Sequence, residues 1–300
     1  MPKRLLKTVN FEASKRLELP KLKKAARGLV SEKFKDLANE KAGRMEVQGA
    51  LARLLEEEDT NMEWKSLIFS VPRGVMAWAA RAATNSLASP DNLARWRKIV
   101  HPKCPLCPTS PCTLGHLLNN CKEMLDRYEW RHNNVVNFLR EAFSAQRLDG
   151  IEIYADLEGH RVNGVTIPAE IAITGLKPDL VIINRKVSPP EVRLVELTVP
   201  WDTAGNMEAA FTRKTDRYKD LCKDIEAKGF KAFNLPLEIG SRGFINKRNK
   251  GLISHLCNIM KIRKVTDITR KCSKLSLLGS FMIWNGRHST DWSSGGFLKP

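Results

Sequence analysis

The stretch "CPLCPTSPCTLGHLLNNC", Cys104 to Cys121, constrains this chain more than any other. Pro105, Pro108 and Pro111 fix φ and remove backbone donors, which leaves little regular structure in which to bury unligated thiols. Two residues separate Cys104 from Cys107, eight separate Cys107 from His116, and four separate His116 from Cys121. Soft thiolates with one imidazole at such spacings make a closed tetrahedral Zn²⁺ site, the first pair on a tight knuckle and the second on a short helical turn. With no open position for water, this zinc is expected to be structural and to orient a basic surface. Cys112 either displaces one of the four or sits idle beside them. The chain has seven cysteines, an odd number whose crowding suits metal ligation better than an extracellular disulfide framework. Cys222, Cys257 and Cys272 read as small core residues.

The formal charge of +17 over 300 residues points to a polyanionic partner, nucleic acid first, because neutralising phosphates releases counterions. No apolar run approaches the length of a spanning helix and no hydrophobic signal core opens the chain, so a soluble intracellular protein with no membrane partner is expected. Residues 1–100 read as a helical linker or nucleic-acid-binding region, 101–122 as the zinc knuckle, and 123–300 as a further domain whose texture turns β-rich after Gly150. In the first region Val75, Trp78, Ala79 and Ala82 fall at helical spacing; the helix stops at Ser89-Pro90 and restarts with Asp91 as its cap. A second helix is expected from Lys122 to about Gln146, with Leu125, Tyr128, Val135, Leu139 and Ala142 on its apolar stripe.

The stretch "LKPDLVIINRKVSPPEVRLVELTVPWD" holds two apolar runs, each with a carboxylate where another Val or Ile is expected. Strand alternation puts Val195, Leu197 and Val199 on one face and Leu194, Glu196 and Thr198 on the other. The runs are joined by the turn-forming "VSPPE", and an antiparallel pairing of suitable register brings Asp179 beside Glu196. Two adjacent carboxylates repel unless a cation lies between them, and Mg²⁺ suits oxygen ligands with a phosphate co-ligand. The bland alternative is a solvated face with two scattered acids. On the helix expected from about Asn206 to Lys228, Met207, Phe211, Tyr218, Leu221, Cys222 and Ile225 form one apolar stripe with Lys214 inside it. Lys214 must be paired there or must snorkel out. Paired to the carboxylates, it would orient an attacking water and stabilise phosphoryl charge.

Pro178-Asp179 and Glu196 resemble the first two motifs of the PD-(D/E)xK nuclease superfamily. That family's usual lysine slot is Thr198 here, and Lys214 on the next helix is the residue that fills the role. More broadly, "MAWAARAATNSLASPDNLARW", the Cys/His knuckle, "YEWRHNNVVNFL", "KPDLV", "ELTVPWD", "RKTDRYKDL" and "PLEIGSRG", in this order, resemble the carboxy-terminal part of non-LTR retrotransposon polyproteins of the ribosomal-DNA-inserting type. The resemblance implies an α+β fold, a small mixed β-sheet flanked by helices in the restriction-endonuclease manner, preceded by a helical region and a zinc knuckle. It implies a Mg²⁺-dependent DNA endonuclease of the nucleus that nicks its target for insertion, with catalytic Asp179, Glu196 and Lys214, and Mg²⁺ on Asp179 and Glu196. Partners implied are target DNA, element RNA and a reverse-transcriptase module. This sequence has no aromatic-x-Asp-Asp polymerase signature of its own.

Nucleic-acid contacts are expected from Arg131, Asn133, Arg217, Tyr218 and Arg242, although Tyr218 on its apolar stripe suits packing and Arg242 also fits a simple turn. His132 reads as a satisfied core histidine, and Glu238 as either a cleft acid or an exposed strand-end acid. The rival from another class is an inactive or host-retained fragment that keeps the knuckle and the basic surface, and binds DNA or RNA without cutting.

Overall fold

The computed structural model describes residues 19–60, 62–67, 70–161, 164, 166–292 and 298. The chain divides into two compact units, residues 1–53 and 54–300. The boundaries expected near residues 100 and 122 therefore fall inside the second unit.

The helices expected early in the chain are present where it is described. Helix α1 spans Leu19–Arg44 and α2 spans Ala50–Glu57. The turn between them is closed by Arg53, whose guanidinium donates to the carbonyls of Gly43 and Met45 at 2.9 and 2.8 Å.

In the second unit, α3 (Arg73–Ala83) buries Val75, Trp78, Ala79 and Ala82, the stripe expected from spacing. Helix α4 (Pro90–Arg95) is capped by Ser89, whose hydroxyl accepts from the Asn92 amide at 3.4 Å, with Pro90 in the first turn. The expected cap, Asp91, is two positions too late for that bond and pairs instead with Arg95 at 2.6 Å. Helix α5 (Leu125–Ser144) precedes strand β1 (Ile151–Ala155). Next come β2 (Leu180–Asn184), β3 (Glu191–Thr198), α6 (Ala204–Ala227), β4 (Lys231–Glu238), α7 (Lys247–Ile259) and α8 (Val265–Asn285).

The apolar stripe of α5 holds Tyr128, Val135, Leu139 and Ala142 as expected, but not Leu125. Leu125 is 64% exposed, whereas Arg127, Arg131 and Asn134 are buried with Val135, Phe138, Leu139 and Phe143. These polar side chains serve buried carbonyls: Arg127 donates to Gly286 O at 2.7 Å and Arg131 to Leu118 O at 2.9 Å.

The sheet is mixed, in the order β1-β2-β3-β4, with the first three strands antiparallel and β4 parallel to β3 after the α6 crossover. Both faces of the central strands are covered, which explains their near-continuous apolar text. On one face Leu180, Ile182, Val195 and Leu197 pack with Val135 and Leu139 of α5, Ile253 and Leu256 of α7, and Cys272 and Leu275 of α8. On the other, Val181, Ile183, Val192 and Leu194 pack with Tyr218, Leu221 and Ile225 of α6. The α+β class with helices flanking a mixed sheet is as expected, and Thr203 caps α6 by accepting from Asn206 N at 3.2 Å.

A buried ion pair joins the ends of β3 and β4. Asp202 and Arg242 are 1% and 3% exposed, and Arg242 Nε donates to Asp202 Oδ2 at 3.1 Å. The same carboxylate accepts from the amides of Arg242 at 2.9 Å and Phe244 at 3.3 Å, while Arg242 also reaches Ala82 O on α3 at 3.3 Å. Gly240 makes room for it: a Cβ there would lie 1.8 Å from Asp202 Oδ1. Asp202→Ala leaves the guanidinium buried without a counter-charge, a loss of about 3–5 kcal/mol. The measurement is the urea midpoint by circular dichroism; a change below about 0.5 kcal/mol, the range of surface substitutions, refutes the pair's structural weight.

Candidate functional site

Cys104, Cys107, His116 and Cys121 converge, with their ligand atoms all within 4.8 Å of one another. Zinc bonds of about 2.3 Å to sulfur and 2.0 Å to nitrogen set tetrahedral edges of roughly 3.8 Å between sulfurs and 3.5 Å from sulfur to nitrogen. Cys104 Sγ and Cys121 Sγ are 3.8 Å apart, and Cys107 Sγ lies 3.3 Å from His116 Nε2. The donor set and its spacing fit Zn²⁺.

The first pair sits on the irregular proline-rich loop, and the second at the ends of a wide helical turn, His116–Asn120, of π geometry. Tyr128 on α5 holds that turn: its hydroxyl accepts from Cys121 N at 3.1 Å and donates to Leu117 O at 3.0 Å. Spacing within the cluster could not reveal this tyrosine, because it lies on a later helix. Burial lowers the pKa of His116, which favours the neutral ring a metal needs, and pushes the Cys121 thiol up to about 12.

Cys112 resolves the choice left by sequence. It is buried in an apolar cluster with Trp78, Leu87 and Leu277, and is not among the converging ligands. Its backbone does the local work, the amide donating to Pro102 O at 2.7 Å and the carbonyl accepting from Asp91 N at 3.1 Å.

The second constellation lies at the ends of β2 and β3. Leu180 pairs with Val195, so the antiparallel register sets Asp179 against Glu196. Asp179 N donates to Glu196 Oε2 at 3.2 Å, and Leu197 N to Asp179 Oδ2 at 2.7 Å. Glu196, only 3% exposed, faces α6: Lys214 Nζ donates to its Oε1, and the Tyr218 hydroxyl to its Oε2 at 2.9 Å. Lys214 is thus paired and does not snorkel. Burial first, and the Asp179 charge second, raise the pKa of Glu196, while Lys214 and Tyr218 oppose them.

The structure adds His132, which sequence reading set aside as a core residue. Its Nε2 lies 3.1 Å from Asp179 Oδ2 and 3.2 Å from Leu197 O, and its Nδ1 2.9 Å from Asn133 Oδ1. Burial alone would lower its pKa, but the Asp179 carboxylate outweighs that and raises it to about 9. His132, Asn133 and Asp179 line a cleft of about 560 Å³ with Glu129, Asp156, Leu157, Glu158 and Arg161. No sequence signal singles out His132, because Asp179 and Leu197 lie 47 and 65 residues further along the chain.

The expected nucleic-acid contacts divide. Asn133 lines the cleft, and Arg217 is exposed with its guanidinium 5.6 Å from the Tyr218 ring centre. Three others are corrected by burial. Arg131 is 1% exposed and spends its guanidinium on Leu118 O and the Ser280 hydroxyl, at 2.9 and 2.8 Å. Arg242 is consumed by Asp202, and Tyr218 is fully buried on Glu196, so no phosphate reaches any of the three. Glu238 is neither a cleft acid nor exposed: it is fully buried and accepts from Asn249 Nδ2 at 3.0 Å and Arg248 at 3.2 Å.

No protein-family model matches the chain, and no curated protein does. Among the described residues, no helix is long and apolar enough to cross a membrane.

The cluster geometry predicts about one zinc per chain by elemental analysis, lost in Cys104→Ser and Cys121→Ser together with cooperative thermal melting. Cys112→Ala retains the metal. Zinc loss in Cys112→Ala with retention in Cys107→Ser assigns the ligands wrongly.

Proposed function

We propose that this chain is a metal-dependent DNA endonuclease of the PD-(D/E)xK type, with a structural zinc centre beside it. The observation that carries the reading is the opposed pair Asp179 and Glu196, with Lys214 delivered to Glu196 from the helix that follows β3. Two carboxylates on one end of a sheet, with a lysine paired to one of them and an open cleft beside the other, are what phosphodiester hydrolysis assisted by a hard cation requires.

Asp179 and Glu196 fit Mg²⁺ by chemistry, being oxygen donors held side by side by the register of β2 and β3. When bound there, Mg²⁺ would supply polarisation of the phosphate and acidification of water. The remaining work falls to the chain itself. Tyr218 and Lys214 fix the orientation of Glu196 through both carboxylate oxygens, and the Leu197 amide fixes that of Asp179. Lys214, 16% exposed at its side chain, supplies positive charge where charge develops on the phosphoryl group. Asn133 and Arg217 remain the candidates for backbone contact with DNA.

The net charge of +17 supports a nucleic-acid partner, and the ordered motifs support target DNA together with element RNA and a reverse-transcriptase module, hence action in the nucleus. The reading thus names target nicking for retrotransposon insertion as the activity.

Supercoiled plasmid with Mg²⁺ should be converted to the open-circular form by the unmodified protein. Asp179→Ala and Lys214→Ala should each lower the rate roughly 100-fold or more while retaining the circular-dichroism spectrum. No open-circular product at any protein excess, or equal nicking by Asp179→Ala, leaves only nucleic-acid binding.

A further inference from the structure

One ring nitrogen of His132 meets two oxygens from different strands, Asp179 Oδ2 at 3.1 Å and Leu197 O at 3.2 Å. A carbonyl can only accept, and the Asp179 carboxylate already accepts from Leu197 N. The point between these two oxygens therefore suits a donor or a cation and nothing else. The other ring nitrogen is held by Asn133 Oδ1 at 2.9 Å, so the imidazole is fixed at both ends. The place is reachable, because His132, Asn133 and Asp179 all line the cleft, with Asp156 and Glu158 adding acceptors around it. Lys214, by contrast, is directed at Glu196, away from this point.

We propose that the His132 imidazole is a built-in stand-in for a divalent cation on Asp179, and that a metal ion binds Asp179 only by displacing the ring. This rests on the endonuclease reading for its biological sense, since that reading is what places a divalent ion at Asp179. A ring that merely props the carboxylate and a ring that competes for it predict opposite signs. Removing a prop disorders Asp179 and weakens metal binding; removing a competitor raises the fraction of chains ready for metal and tightens it.

The test measures Mn²⁺ binding to the full zinc-loaded chain by electron paramagnetic resonance of the free ion, with no substrate present. His132→Ala is expected to bind Mn²⁺ roughly tenfold more tightly than the unmodified chain, and His132→Gln, which keeps the bulk and a neutral donor, by a smaller factor in the same direction. Asp179→Ala should lose that binding. Unchanged or weaker binding in both His132 variants overturns the proposal, as does equal binding by Asp179→Ala or the absence of Mn²⁺ binding in every form. Plasmid nicking on the same preparations separates the two readings. Tighter binding without nicking sinks the endonuclease and keeps the displacement, whereas nicking without a change in affinity sinks the displacement alone.

Discussion

The buried pair of Asp202 and Arg242 is the constraint on which the arrangement of the second unit depends. Asp202 ends the segment leaving β3, and Arg242 lies in the turn leaving β4, so their bond fixes the divergence of two parallel strands at their carboxyl ends. Through Arg242 the same knot reaches Ala82 O at the end of α3, and the guanidinium stacks 4.0 Å from the centre of the Trp201 ring. Trp201 in turn packs on Gly115, where an added Cβ would lie 3.3 Å from the indole. A charge pair inside the protein thus connects sheet, linker helix and Cys/His turn, and it does so with nearly every hydrogen-bonding group satisfied, the condition under which such a pair is tolerated.

The segments read as helical region, knuckle and sheet domain share apolar clusters. Trp78 and Ala79 of α3, the thiols of Cys104 and Cys121, and Leu277, Ile283 and Trp284 of α8 share one apolar cluster. The first half of α8, through Ile268, Cys272 and Leu275, belongs to the core beneath the sheet. A single helix spans both cores, so the Cys/His segment is packed into the same body as the sheet. Composition changes along the chain mark where β-structure begins, but they carry no information on which distant helix closes a core.

Much of the local structure was legible because periodicity and burial agreed. The α3 and α6 stripes followed from spacing, since apolar side chains at those positions have one way to leave water, whereas the opposition of Asp179 to Glu196 also needed the antiparallel register that the fold supplies. Legibility failed where a polar side chain was buried to serve a backbone group. Arg131 lies under α8, with Gly279 leaving space for its stem, since a Cβ there would be 2.5 Å from Arg131 Cγ. Read by hydropathy, Arg127, Arg131 and Arg242 belong on the surface, and in a basic chain Arg131 and Arg242 read as nucleic-acid contacts. Their burial is decided by carbonyls at helix and turn ends far along the sequence. His132 was obscured for a related reason: its partners, Asp179 and Leu197, come from strands that only the fold brings to it.

The two carboxylates are therefore held by opposite layers, and this division gives the site its asymmetry. Glu196 is gripped from α6 by a lysine and a tyrosine, in surroundings dry enough to raise its pKa. Asp179 is gripped from α5 by a histidine, beside an open cleft. Glu196 can take up another cation only where the entering charge makes up for a loosened contact with Lys214, because a charge would otherwise be stranded in the interior. The carboxylate facing the cleft can exchange its partner for another cation while water covers the transition. Exchange of a cation partner at this end of the sheet is accordingly easier at Asp179, beside the cleft, than at Glu196, which Lys214 and Tyr218 hold in the interior.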